Sequence, residues 1–274
     1  MVQKKEKKIS ALQMSSVIGN PEKNRGKAEE IISRELDKGT DFLILPEVWT
    51  VGWSCEDFPA AAEDSRNSQT VKFLSDIAKR YSVNILGGSY IERKSDGRLY
   101  NTCPVISRSG ELIAEYSKMH LYTYCGCTEG NYITEGEHPV MVNIEGINIG
   151  LTICYDIRFP EIFRAYRSEN VDLLVNMAAW GLKKPIPWET LTRARAIENQ
   201  AFMIAVTQSG KIKDNDWNIG HSRIFDYVGE TITEIKNQQE GLMTCKIKFD
   251  KMYEYRNSCT ILKDIHEKYE VRVI

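Results

Sequence analysis

The chain has 274 residues, 42% hydrophobic and 27% charged, with a formal net charge of −2 at pH 7. That length suits one large core or two small ones, and so even a charge balance excludes electrostatic attraction to nucleic acid or an anionic membrane. Seven cysteines, an odd count in a chain too long to need covalent staples, point to free thiols in a reducing, cytoplasmic setting.

The basic run Lys4, Lys5, Lys7 and Lys8 reads as a solvated tail. No long apolar segment follows it, so neither a signal peptide nor a membrane span is expected. Residues 9–14 predict a first strand. Asn20 and Pro21 open a helix as N-cap and first residue, with Ala28, Ile31, Ile32 and Leu36 as its apolar stripe and Gly39 as its end. Residues 42–45 form a short buried strand that delivers Pro46 and Glu47. A polar loop over 54–68 precedes a second amphipathic helix carrying Val71, Leu74, Ile77, Ala78 and Tyr81. One strand is predicted over 83–91. Turn signals at Ser95-Asp96-Gly97 and Ser109-Gly110 bracket a returning strand over 100–107, and residues 112–116 then run on to Lys118.

Residues 122–137 lack periodicity yet carry glycines, aromatics and Glu129, which reads as a functional loop. Strands over 140–144 and 147–153 make a hairpin around Glu145-Gly146. The second of them ends on Cys154, turns sharply, and restarts as a helix over 160–168. Pro160 suits the first turn and Glu161 the positive end of the helix dipole. Residues 171–178 are another buried strand, followed by Trp180 and a basic, proline-bearing loop. A helix from about 188 to 200 carries Arg193, Arg195 and Glu198, which read as salt-bridged structure rather than chemistry. Strands over 202–208, 222–226, 230–235 and 242–249 complete the pattern, with a polar tail from about residue 250. No linker or repeat divides the chain. It reads as one α/β domain over 1–274, with helices enough to cover one face of each of two sheets.

A lone cysteine at a strand end is most often a small buried hydrophobe. Two other stretches change that reading of Cys154. Leu43-Ile44-Leu45-Pro46-Glu47 and Glu115-Tyr116-Ser117-Lys118 each place one charged group at the end of an apolar strand. A carboxylate, an ammonium and a thiol thus come from three separated segments. A free thiol near pH 7 is only a few per cent thiolate and needs a base, and the four histidines fall in no cysteine-protease pattern. Glu47 is the candidate base, Glu129 a second carboxylate, and Lys118 with the Tyr155 N–H the candidate oxyanion donors. Cys125 and Cys127 form the one close cysteine pair; with His120 they fall short of four metal ligands, so no metal is expected.

These motifs resemble the nitrilase, or carbon–nitrogen hydrolase, superfamily. Its Glu-Lys-Cys triad matches Glu47 in Leu45-Pro46-Glu47, Lys118 in Tyr116-Ser117-Lys118-Met119-His120-Leu121, and Cys154 in Cys154-Tyr155-Asp156-Ile157-Arg158-Phe159-Pro160-Glu161. The family's second glutamate matches Glu129, ahead of Gly136. The resemblance implies a four-layer α-β-β-α sandwich that pairs into a homodimer. It further implies hydrolysis of a small-molecule amide through a Cys154 thioester, releasing ammonia without a cofactor. The motifs are most like the omega-amidase branch, acting on 2-oxoglutaramate or a similar dicarboxylate mono-amide. Deaminated-glutathione amidase, N-carbamoyl hydrolase and nitrilase are the alternatives. A silent binding protein on the same fold, and acyl transfer to an amine, are the readings from other classes.

Relatives in that branch often carry Trp-Pro-x-x-Arg-x-x-His-Trp where this chain has Trp180 to Trp188, with Gly181, Lys184 and Pro187 at the changed positions. That loop is expected to overhang the nucleophile. Lys184 is the first candidate for a substrate carboxylate, with Arg158 next, while Trp180 and Tyr124 are candidate pocket walls beside Trp49, Trp53 and Tyr122.

Overall fold

The computed structural model describes residues 6–123, 128–266 and 270–274. Strand β1 (Lys7–Gln13) leads into helix α1 (Pro21–Glu35). The Asn20 side chain accepts from Lys23 N at 3.0 Å, and Pro21 fills the first turn, where no N–H is missed. The helix stops at Leu36 instead of Gly39. Asp37 to Thr40 close a turn of their own, Thr40 Oγ1 donating to Asp37 O at 2.8 Å, and Gly39 supplies its positive φ of 78°. Strand β2 (Phe42–Ile44) follows, wholly buried.

The stretch expected to be a polar loop folds around one residue, the buried Phe58. It holds a 3-10 turn, the short helix α2 (Phe58–Ala61) and strand β3 (Glu63–Asp64). Glu63 then accepts from Ser68 Oγ at 2.6 Å and Thr70 N at 2.8 Å, fixing the start of α3 (Gln69–Tyr81). A single phenylalanine among polar residues has no period, which is why the sequence hid this segment.

The strand predicted over 83–91 is two strands, β4 (Asn84–Leu86) and β5 (Tyr90–Arg93), parted by two glycines. Gly88 has φ 65°, and a Cβ there would lie 2.0 Å from Pro46 O. Only glycine lets the chain cross so close to the residue before Glu47. Strands β6 (Leu99–Ile106) and β7 (Leu112–Ser117) come next, and β7 ends beside Lys118.

In the second half, β8 (Met141–Ile144) and β9 (Ile147–Ile153) pair with Ile144 opposite Ile147. Glu145 (φ 52°) and Gly146 (φ 83°) make the two-residue turn, both in the left-handed region such a hairpin requires. Helix α4 (Pro160–Ser168), strand β10 (Leu173–Ala178), helix α5 (Pro185–Asn199) and strand β11 (Phe202–Thr207) follow. Helix α5 starts at Pro185 rather than Trp188, because proline takes its first position; the overhanging loop is therefore only residues 181–184. The hairpin β12 (Lys211–Lys213) with β13 (Asp216–Trp217) was not expected, since strands of three and two residues are too short to show a pattern. Strands β14 (Arg223–Phe225), β15 (Thr231–Glu234) and β16 (Gly241–Ile247) lead to helix α6 (Phe249–Ser258). This helix stands where a polar tail was expected. Phe249 and Met252 are buried, and Arg256 donates to Gln200 O at 2.8 Å and Val171 O at 2.7 Å.

The eight-stranded sheet has the order β16-β1-β2-β4-β6-β5-β3, with β7 on β6, and the six-stranded sheet the order β15-β14-β11-β10-β9-β8. Each has a parallel trio, β1-β2-β4 and β9-β10-β11. Alternation along β2 divides the core: Phe42 and Ile44 join the cluster shared with β9 to β11, while Leu43 and Leu45 pack with α1 and α3. Helices α4 and α5 pack on the second sheet. The layers are helix, sheet, sheet, helix, and each large side chain buried between them contributes about 1.5–3 kcal/mol.

One buried acid on this scaffold makes stability depend on pH. Glu92 on β5 is 1% exposed, and burial, then the nearby Glu115 carboxylate, pushes its carboxyl from 4.5 to about 7. Below 4.5 folded and unfolded chains both hold the proton; between 4.5 and about 7 only the folded chain does. Stability therefore falls as pH rises through that window and levels off above it. Glu92→Gln is expected to melt higher at pH 8, by about 1–3 kcal/mol, with little change at pH 4. Parallel pH slopes for the two proteins in thermal melts would refute this.

Candidate active site

Four side chains from four segments meet at the carboxyl ends of the strands. Glu47 follows β2, Lys118 follows β7, Cys154 follows β9, and Glu129 opens the 3-10 turn Glu129–Asn131. Glu47, Lys118 and Glu129 are each 0% exposed. Lys118 Nζ donates to Glu47 Oε1 at 2.8 Å and to Glu129 Oε2 at 2.9 Å. Ala179 N donates to Glu47 Oε2 at 2.8 Å, and Tyr122 N to Glu129 Oε2 at 2.8 Å. Both carboxylates are thus held by backbone as well as by the ammonium.

Cys154 begins the 3-10 turn Cys154–Arg158 with φ 44°. The elbow therefore enters a 3-10 turn first and reaches helix α4 only at Pro160. A positive φ on a non-glycine residue costs energy and persists where its surroundings impose it. Here Asp156 is the brace. Its carboxylate accepts from Ile153 N at 2.8 Å, Tyr116 OH at 2.7 Å and His120 N at 3.1 Å, tying the turn to the segment that carries Lys118. Arg195 adds a second tie, Nη2 donating to Ile157 O at 2.7 Å and Nη1 to Glu198 at 2.8 Å, which is the structural role expected of it.

The electrostatics follow from burial around one cation. Burial, then Glu47, holds the Cys154 thiol well above its ordinary value, although Lys118 pulls the other way. Burial alone would lower the Lys118 ammonium, but Glu129 and Glu47 outweigh it and keep the group charged. Burial raises Glu129, with Lys118 opposing and Glu47 reinforcing the shift. The resting site holds a neutral thiol beside a buried ammonium and the two carboxylates that bond it.

A cavity of about 950 Å³ opens over the sulfur, lined by Cys154, Tyr155, Arg158, Trp180, Lys183 and Lys184 among others. The Arg158 guanidinium lies 5.0 Å from the Trp180 ring, and Lys184 Nζ lies 4.6 Å from the Tyr122 ring and bonds its hydroxyl. Trp53 and Tyr122 are walls as expected. Trp49 is not; it is fully buried with Nε1 on Gly87 O at 2.9 Å. Tyr124, Cys125 and Cys127 lie outside the described residues. Among the described residues no three His, Cys, Asp or Glu side chains gather as a metal site.

Sequence reasoning missed Asn101, whose Nδ2 donates to Glu47 Oε1 at 2.9 Å, and the hairpin residues Lys213 and Asp216 at the cavity. A polar residue at the centre of an apolar strand was the one available signal for Asn101.

A family profile described as carbon–nitrogen hydrolase matches residues 8–257. A 2-oxoglutaramate amidase of Bacillus subtilis (strain 168) is 35% identical over 260 residues, covering 94% of this chain and 97% of that protein. A chloroplastic omega-amidase of Arabidopsis thaliana is 32% identical over 253 residues, covering 89% of this chain and 68% of that protein. A carbon–nitrogen hydrolase superfamily structure from Xanthomonas campestris, with an arsenic adduct in its active site, superposes with a TM-score of 0.88. It is 28% identical and covers 97% of this chain and 99% of that one. The two-sheet fold with flanking helices is shared with that structure.

Proposed function

Because the chain belongs to the carbon–nitrogen hydrolase family, and is thereby a cysteine-dependent amidase, we propose that Cys154 is its nucleophile and a dicarboxylate mono-amide such as 2-oxoglutaramate its substrate. The observation that carries this is the convergence of Glu47, Lys118 and Glu129 within 2.9 Å contacts, buried beside Cys154, which itself lines the cavity.

In this mechanism Glu47 takes the thiol proton and the Cys154 sulfur attacks the amide carbonyl. The tetrahedral oxyanion is met by Lys118 Nζ and the Tyr155 N–H. Collapse breaks the C–N bond, ammonia leaves with the proton returned by Glu47, and a thioester remains. Water then attacks the thioester, Glu47 again accepting a proton, while Glu129 positions Lys118 and the reactants. The product acid departs and the thiol is restored. Several groups acting together support an active enzyme over a silent binding protein on this fold.

Lys184 and Arg158, on the cavity wall, supply positive charge for the remote carboxylate. An ammonium is a point charge without the guanidinium fork, so Lys184 would grip a carboxylate more loosely than arginine does. The test is ammonia release from paired amides of equal length, one ending in a carboxylate and one neutral. Lys184→Ala is expected to raise KM for the charged amide about tenfold, the scale of one charge-assisted hydrogen bond, and to leave the neutral one within about twofold. Equal effects on both would move the carboxylate contact to Arg158. A wild-type enzyme that prefers the neutral amide would overturn the substrate class.

A further inference from the structure

Asn101 lies within β6, 0% exposed, and the mechanism above gives it no part. Its Nδ2 donates to Glu47 Oε1 at 2.9 Å and reaches Glu129 Oε1 at 3.4 Å, so one amide nitrogen bridges the two carboxylates. The flipped amide would set a carbonyl oxygen against both of them, so the network itself assigns nitrogen and oxygen. Its Oδ1 is buried without a hydrogen-bond partner among the described residues. A buried carbonyl left unsatisfied weakens a fold, and packing alone gives no reason to keep an amide here.

The charge arrangement supplies a reason. Glu47 and Glu129 face this amide, Lys118 bonds both of them, and Cys154 interacts with Glu47 and Lys118, which amounts to two carboxylates and a thiol around one ammonium. The backbone donors from Ala179 and Tyr122 go to the Oε2 atoms. The Oε1 atoms share Lys118 and Asn101. A donor to a carboxylate favours its charged form. Without this amide the pair would share one cation, and a proton taken up between them would occupy the place meant for the thiol proton.

We propose that Asn101 is a positioning residue that keeps Glu47 and Glu129 ionised together at neutral pH and holds Glu47 ready to deprotonate Cys154. This deepens the thioester mechanism and rests on it. Burial pushes the Glu129 carboxyl upward, so a donor to its oxygen opposes that bias.

The experiment compares wild type with Asn101→Leu, which keeps the branched shape and removes the donor. Two pH profiles are recorded: kcat/KM for a dicarboxylate mono-amide, and the rate of Cys154 alkylation by iodoacetamide, followed by peptide mass spectrometry. In alkylation the sulfur displaces iodide and its proton goes to the carboxylate pair, so the second profile reads the same ionisation without amide turnover. The acidic limb of both profiles is expected to move up by about one pH unit, a roughly tenfold loss of rate below the midpoint, with the alkaline rate largely kept. A limb that stays in place, or a loss of equal size at every pH, overturns the proposal, because a purely structural defect scales the profile without shifting it. If Asn101→Leu fails to fold, Asn101→Ala adds no bulk and is read by the same criterion. A wild-type protein that releases no ammonia from any amide, yet shows the shifted alkylation limb in the variant, overturns the amidase reading and retains the role of Asn101.

Discussion

Cys154→Ala is expected to abolish amide turnover, by on the order of 10⁴-fold or more, while leaving the fold intact. In the proposed mechanism the covalent route passes through this sulfur, and neither Glu47 nor Lys118 can replace it as a nucleophile while each is locked in an ion pair 2.8 Å long. The fold should survive because the turn is imposed from outside: Asp156 holds Ile153 N at 2.8 Å and Tyr116 OH at 2.7 Å, and neither bond uses the thiol. Alanine meets the same positive φ that cysteine already tolerates, at 44°. Intact-mass spectrometry after a rapid acid quench should find an acyl adduct on the wild-type chain and none on the variant. Ammonia release by Cys154→Ala at more than a trace would remove the thioester from the mechanism.

The second large effect concerns Lys118. Its side chain is 0% exposed and is the partner of two buried carboxylates, at 2.8 and 2.9 Å. Lys118→Met keeps most of the volume and removes the charge. Two penalties follow, and they can be separated. Stability should drop by about 3–5 kcal/mol, since carboxylates are left buried without their cation. The barrier to acylation should rise by about 3 kcal/mol or more, the scale of losing an oxyanion donor. Adding Glu129→Gln to Lys118→Met takes away one unpaired charge and should recover part of the stability, but none of the activity. A double variant that regained turnover along with its melting temperature would show that Lys118 only holds the site together.

Much of this was legible in the sequence because the information lay within a few residues. Asn20-Pro21 specifies a helix start by capping chemistry, and Glu145-Gly146 specifies a hairpin because both residues must take positive φ. The reactive residues after three strands marked Glu47, Lys118 and Cys154, since a strand end is where an apolar run can offer a reactive group to a cavity. The resemblance that those motifs carry supplied the layer order and matched Glu129, already the candidate second carboxylate, to the family's second glutamate.

Other features depend on residues far apart in the chain, and no local period announces them. The break at Gly87-Gly88 exists because Pro46 O passes where a Cβ would stand, 2.0 Å away. Helix α6 forms where composition reads as a tail because Phe249 and Met252 find a core built by other segments. Ala179 N reaches Glu47 across 132 residues, and Asn101 reaches it across 54. The sequence by itself determined which chemical groups the chain can offer and the local turns that present them. Only tertiary structure decided that two carboxylates share one lysine and one amide beside the thiol, because that arrangement arises when β2, β6, β7 and β9 are packed together and water is excluded from between them.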